Sequence, residues 1–141
     1  MIGPNPFAPG SRVLLTGGGT GGHVFPLVAV AEKLLRVRPG VRMVWAVRPR
    51  GFEAETVAKL GWEYAPLPAY PFKRREPLSL VQAASANLRG LAAARRLLRG
   101  GRFEFILGSG GYVAVPIYAA ARLRGLPYHI LESNSIPGIA N

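Results

Sequence analysis

Eight residues, Thr16-Gly17-Gly18-Gly19-Thr20-Gly21-Gly22-His23, stand between a short apolar run and an amphipathic one. They narrow the possible folds more than any other stretch of the chain. The run before them, Arg12-Val13-Leu14-Leu15, reads as a buried strand. The run after them sets Val24, Leu27, Val28, Ala31, Leu34 and Leu35 at helical spacing, with Glu32, Lys33 and Arg36 on the opposite face. Five glycines in six positions between a strand and a helix have the layout of an anion site. Glycine lets the backbone approach a ligand closely, and the helix start supplies N–H groups and the positive end of its dipole. A phosphate-bearing ligand is expected there.

The loop alone leaves the ligand open. Gly17-x-Gly19-x-x-Gly22 fits the dinucleotide fingerprint, but the second strand ends in Val47-Arg48-Pro49-Arg50, without the carboxylate that binds a ribose. An arginine there suits a 2′-phosphate instead, which keeps an NADP-binding oxidoreductase as an alternative. A P-loop needs Gly-Lys-Ser/Thr, and Gly22-His23-Val24 excludes it.

Further along, residues 41–47 read as a second strand, 52–60 as a helix and 62–67 as a third strand. A proline-rich loop follows and ends in Lys73-Arg74-Arg75. The longest helical pattern covers 77–99, with Pro77 suited to a first turn and Gly90 a point of weakness. A fourth strand over 103–107 leads into a second glycine loop, Gly108-Ser109-Gly110-Gly111-Tyr112. A helix over 113–123 and a fifth strand over 128–131 complete the pattern. Strict alternation predicts an α/β fold, a Rossmann-like parallel sheet with helices on both faces. Ligands of such sheets bind beyond the carboxyl ends of the strands, so both glycine loops and the segment at 132–134 should gather at one edge.

At 141 residues the chain suits one domain, read as residues 12–141 after an extension over 1–11. Residues 1–10 lack the charged and apolar regions of a signal peptide. The absence of cysteine excludes disulfides and thiolate chemistry. Two distant histidines and seven scattered acids give no metal-ligand spacing, so no metal and no cofactor are expected. A formal charge of +11 attracts phosphorylated ligands, anionic lipid or nucleic acid. Aromatic residues are not interleaved with the basic ones as a stacking platform requires, so a nucleic-acid partner is not expected.

Three motifs, in order, carry a resemblance over about residue 12 to the end. Gly18-Gly19-Thr20-Gly21-Gly22-His23-Val24-Phe25-Pro26, Gly110-Gly111-Tyr112-Val113 and Glu132-x-Asn134-x-Ile136-Pro137-Gly138-x-x-Asn141 resemble the N-terminal half of the MurG family. Ser133 stands where that family usually has glutamine, and Leu27 where a glycine commonly follows Phe-Pro. The resemblance implies the N-terminal domain of a GT-B glycosyltransferase, two Rossmann-like domains with the active site between them. It implies transfer of N-acetylglucosamine from UDP-GlcNAc to undecaprenyl-linked lipid I, giving lipid II for peptidoglycan. It also implies a peripheral position on the cytoplasmic face of the bacterial plasma membrane. The chain matches only the acceptor-binding half, so a C-terminal donor domain is an expected partner, and the chain alone is expected to be inactive.

The same resemblance implies roles. His23 is the expected catalytic base or a positioning donor, with a loop cap as the plainer alternative. Thr20, Gly21, Gly22 and Asn134 are expected to contact UDP-GlcNAc. Gly18, Gly19, Gly110, Gly111 and Tyr112 are expected to contact the acceptor and its diphosphate. Glu132 is either a second carboxylate near the site or a cap, and His129, within an apolar strand, is expected in the core. Tyr70, Phe72, Leu78, Leu80 and Val81, rimmed by Lys73, Arg74, Arg75 and Arg89, have the make-up of an interfacial membrane contact. Alternatively, the long helix simply covers the sheet. A non-catalytic, membrane-recruiting subunit of a split GlcNAc transferase is the variant reading.

Overall fold

A computed structural model describes residues 7–71 and 77–132. The strands are β1 (Arg12–Thr16), β2 (Arg42–Val47), β3 (Glu63–Pro66), β4 (Phe105–Gly108) and β5 (His129–Ile130). The helices are α1 (Gly21–Val37), α2 (Phe52–Lys59), α3 (Pro77–Gly101) and α4 (Val115–Leu123). All strand pairs are parallel, in the order β3-β2-β1-β4-β5. This is the expected doubly wound sheet.

β1 lies at its centre, and its side chains alternate between two apolar layers as strand geometry requires. Val13 and Leu15 pack with Leu27, Ala31, Trp45 and Val57 under α1 and α2. Leu14 packs with Val44, Ile106, Ala94, Leu98 and Ile117 under α3 and α4. The chain therefore leaves β1 toward one face and β4 toward the other. The carboxyl ends of these adjacent strands form the switch point, where Thr16 pairs with Gly108.

Three expectations needed adjustment. Gly90 does not interrupt α3: it is buried where a Cβ would collide with the Pro68 carbonyl and lie 3.1 Å from the Pro116 ring. β4 begins at residue 105, because Arg102 takes a left-handed φ of 46° after α3 and Glu104 turns its carboxylate to accept from the Arg12 N–H at 2.6 Å. His129 is not a core residue. It is exposed on β5, stacked on Phe105 at 4.5 Å, because β5 is the edge strand of the sheet.

Candidate functional site at the carboxyl edge of the sheet

The loops leaving β1 and β4 meet directly. The Ser109 N–H donates to the Thr16 carbonyl at 3.0 Å, continuing the ladder one step past the strands. The Ser109 hydroxyl then donates to the His23 carbonyl, and His23 Nδ1 donates back to the Ser109 carbonyl at 2.8 Å. This reciprocal pair joins residues 86 apart in sequence. Gly111, at φ 77°, lies so close to loop one that a Cβ there would collide with the Gly18 carbonyl. Only glycine allows both the left-handed angle and the approach.

The His23 contact has a chemical consequence. A carbonyl oxygen only accepts, so Nδ1 carries hydrogen, and in the neutral ring Nε2 carries the lone pair. The ring is half-buried, at the start of α1. Thr20 and Gly22 are exposed and Gly21 is half-buried around the same helix start; the Thr20 hydroxyl makes no capping hydrogen bond. The second loop is braced from below: the Gly110 N–H donates to the Tyr118 hydroxyl at 3.3 Å. Burial raises the Tyr118 phenol to about 12, opposed by that N–H. Gly108 leaves room for the hydroxyl, with which a Cβ would collide.

Tyr112 crosses over the first loop. Its ring lies where a Cβ on Gly19 would come within 2.9 Å, and it reaches Arg48 at the end of β2, whose Cζ is 5.7 Å from the ring centroid. Burial raises the Tyr112 phenol, with Arg48 acting in the opposite direction. Arg48 Nε lies 3.5 Å from Glu53 Oε1, and Glu53 is completely buried. Its other oxygen accepts from the Gly19 N–H at 3.5 Å. Gly18 and Gly51 wrap the carboxyl group so closely that a Cβ would stand 2.8 Å and 2.5 Å from its atoms.

His23, Gly18, Gly19, Gly110, Gly111 and Tyr112 are thus brought together, with Thr20, Gly21 and Gly22 at the rim. Asn134 lies outside the described residues, as do Phe72, Lys73, Arg74 and Arg75. Leu78 and Leu80 fall in α3, Tyr70 is half-buried with its backbone bonded both ways to the Asn87 amide, and Val81 and Arg89 are exposed. Glu132 follows β5, close enough to raise the Tyr118 phenol. Glu53, Ser109 and Tyr118 were not singled out from sequence. A signal for Glu53 was present: it shares the inward stripe of α2 with Ala54 and Val57, where an acid is out of place. Among the described residues no group of three or more His, Asp or Glu could hold a metal ion.

A doubly wound sheet with two glycine loops joined at its switch point is a Rossmann-like domain, and its match to family and structure is to the N-terminal domain of a GT-B glycosyltransferase. Residues 13–141 match the glycosyltransferase family 28 N-terminal domain, and the chain belongs to that family. It is 39% identical over 130 residues to the UDP-N-acetylglucosamine–N-acetylmuramyl-(pentapeptide) pyrophosphoryl-undecaprenol N-acetylglucosamine transferase of Moorella thermoacetica, covering 92% of this chain and 35% of that protein. The protein of the same name from Desulforudis audaxviator is 40% identical over 131 residues, covering 92% and 35%. The crystal structure of Acinetobacter baumannii MurG matches with a TM-score of 0.78 at 32% identity, over 93% of this chain and 38% of that one. The expected family resemblance is borne out, and it favours the transferase reading over the nicotinamide one. The chain spans about a third of the length of these relatives.

Proposed function

We propose that this chain is the acceptor-binding half of an inverting transferase that moves N-acetylglucosamine from UDP-GlcNAc to the N-acetylmuramyl 4-hydroxyl of undecaprenyl-linked lipid I. The observation that carries this reading is the reciprocal His23–Ser109 pairing at the meeting of the two loops. It turns the lone pair of Nε2 away from the protein's own acceptor, ready for a substrate hydroxyl. His23 takes the proton of that hydroxyl as its oxygen bonds to the anomeric carbon. The bond from that carbon to the UDP oxygen breaks on the opposite face, and UDP leaves with the electron pair. Gly18, Gly19, Gly110, Gly111 and Tyr112 line the acceptor diphosphate. Thr20, Gly21, Gly22 and Asn134 meet the donor, which is held mainly by a C-terminal domain.

The outer face of α3 supports a peripheral position on an anionic membrane. Val81 and Leu88 are 72% and 67% exposed, and Arg89, Arg95, Arg96 and Arg99 are exposed along the same helix. Among the described residues no helix is long and apolar enough to cross a membrane. Placing His23→Ala in a chimera, with this chain replacing the N-terminal domain of a full-length relative, tests the chemistry. The loss of a general base predicts a fall in kcat of about 100-fold or more with little change in the KM for UDP-GlcNAc. Turnover near that of the parent chimera removes His23 from the reaction.

A further inference from the structure

The two glycine loops offer backbone N–H groups, but neither carries a cationic side chain, and a diphosphate brings at least two negative charges. Arg48 stands beside them. It follows the last residue of β2, and its guanidinium carbon lies 5.7 Å from the Tyr112 ring centroid. Its Nε is turned inward, 3.5 Å from the completely buried Glu53. Nε and Glu53 Oε1 are buried without a hydrogen bond, so an ion pair is what holds them together. Glu53 also accepts from the Gly19 N–H, and Tyr112 packs on Gly19. Gly19, Glu53, Arg48 and Tyr112 therefore close a ring of contacts around the first loop.

We propose that Arg48 is the cationic contact for the prenyl-linked diphosphate, and that Glu53 is a positioning residue that sets its guanidinium beside both loops. This assignment rests on the acceptor reading above. A buried carboxylate is retained at a cost unless it is paired. Here the pairing does something a neutral core residue would not: it fixes Nε, leaving the rest of a half-exposed arginine side chain at the edge of the crevice. An arginine fork suits phosphate oxygens better than a lysine point charge. Arg50, the other arginine of the Val47-Arg48-Pro49-Arg50 turn, is exposed and has no such anchor.

Geranyl diphosphate and UDP, titrated separately into the 141-residue chain and followed by amide NMR shifts, distinguish the two sources of diphosphate. Geranyl diphosphate should shift the Gly19 and Gly111 amides. Arg48→Gln should weaken its binding about tenfold, the loss of one charge-assisted hydrogen bond. Arg48→Lys should recover only part of this, and Arg124→Gln, on the exposed turn after α4, should change it less than twofold. Glu53→Gln should weaken binding while the circular dichroism spectrum and melting temperature stay near those of the parent. The double variant Arg48→Gln/Glu53→Gln leaves no buried charge unpaired, and its circular dichroism spectrum and melting temperature separate weakened binding from misfolding. Unchanged geranyl diphosphate binding in that folded double variant, with the Gly19 and Gly111 shifts intact, overturns the assignment and leaves the acceptor reading standing. Weakening of UDP alone also overturns it. Absence of those glycine shifts in the parent chain overturns both.

Discussion

Replacing Gly111 with alanine tests whether the two loops are in contact as described. Two effects add. A Cβ at φ 77° forces a left-handed conformation, which costs about 1 to 2 kcal/mol. The smaller entropy of the unfolded alanine chain returns about 0.4 to 1 kcal/mol of this. The Cβ would also collide with the Gly18 carbonyl oxygen, a backbone atom that cannot rotate away, and would press on His23 Cδ2 at 3.2 Å. Forcing an overpacked site apart adds about 1 to 3 kcal/mol. Gly125→Ala isolates the first effect, because Gly125 has φ 64° and open space around its α-carbon. Urea unfolding followed by far-UV circular dichroism should show Gly125→Ala destabilised by about 1 kcal/mol or less. Gly111→Ala should be destabilised by about 3 kcal/mol, a fall of roughly 10 °C in Tm for a chain of this size. Equal effects at the two positions would refute the contact between the loops.

Alkaline stability should report the brace under the second loop. Burial lifts the Tyr118 phenol to about 12 from 10.0, so between these values the unfolded chain releases a proton that the folded chain retains. Stability contributed by the neutral phenol is full below pH 10 and is lost as pH rises toward 12, by about 2 to 3 kcal/mol. Tyr118→Phe should flatten that decline in urea titrations at pH 9 to 11.5; an unchanged slope contradicts the assignment. For the proposed membrane face, Arg95→Gln/Arg96→Gln/Arg99→Gln should weaken binding to phosphatidylglycerol vesicles by roughly two orders of magnitude at low salt, at about 1 kcal/mol per charge. Equal binding by parent and triple variant in a sedimentation assay would refute the proposed membrane face.

The parts of this molecule legible in the sequence are those set by neighbours along the chain. Thr16 to His23 could be read as a strand-to-helix anion loop because the glycines interrupt a clear change of apolar period. The parallel sheet followed from the alternation of elements, and with it the meeting of both loops at one edge. What was not legible depends on partners far away. Glu53 stands out of place in the apolar stripe of α2, but its partner, the Gly19 N–H 34 residues away, is not legible along the chain. Ser109 reads as a turn residue until it meets His23. His129 sits in a run whose apolar pattern suggests burial, yet edge position in the sheet, a property of the whole topology, decides its exposure.

The central claim is that this chain supplies the acceptor side of a GlcNAc transfer site. It is tested most directly by transfer of radiolabelled N-acetylglucosamine from UDP-GlcNAc to a lipid I analogue. The 141-residue chain is assayed alone, and then in place of the N-terminal domain of Acinetobacter baumannii MurG. The account predicts no transfer by the chain alone and labelled lipid-linked product from the chimera. Transfer by the chain alone would contradict it, as would a folded chimera that binds UDP-GlcNAc and leaves lipid I unmodified.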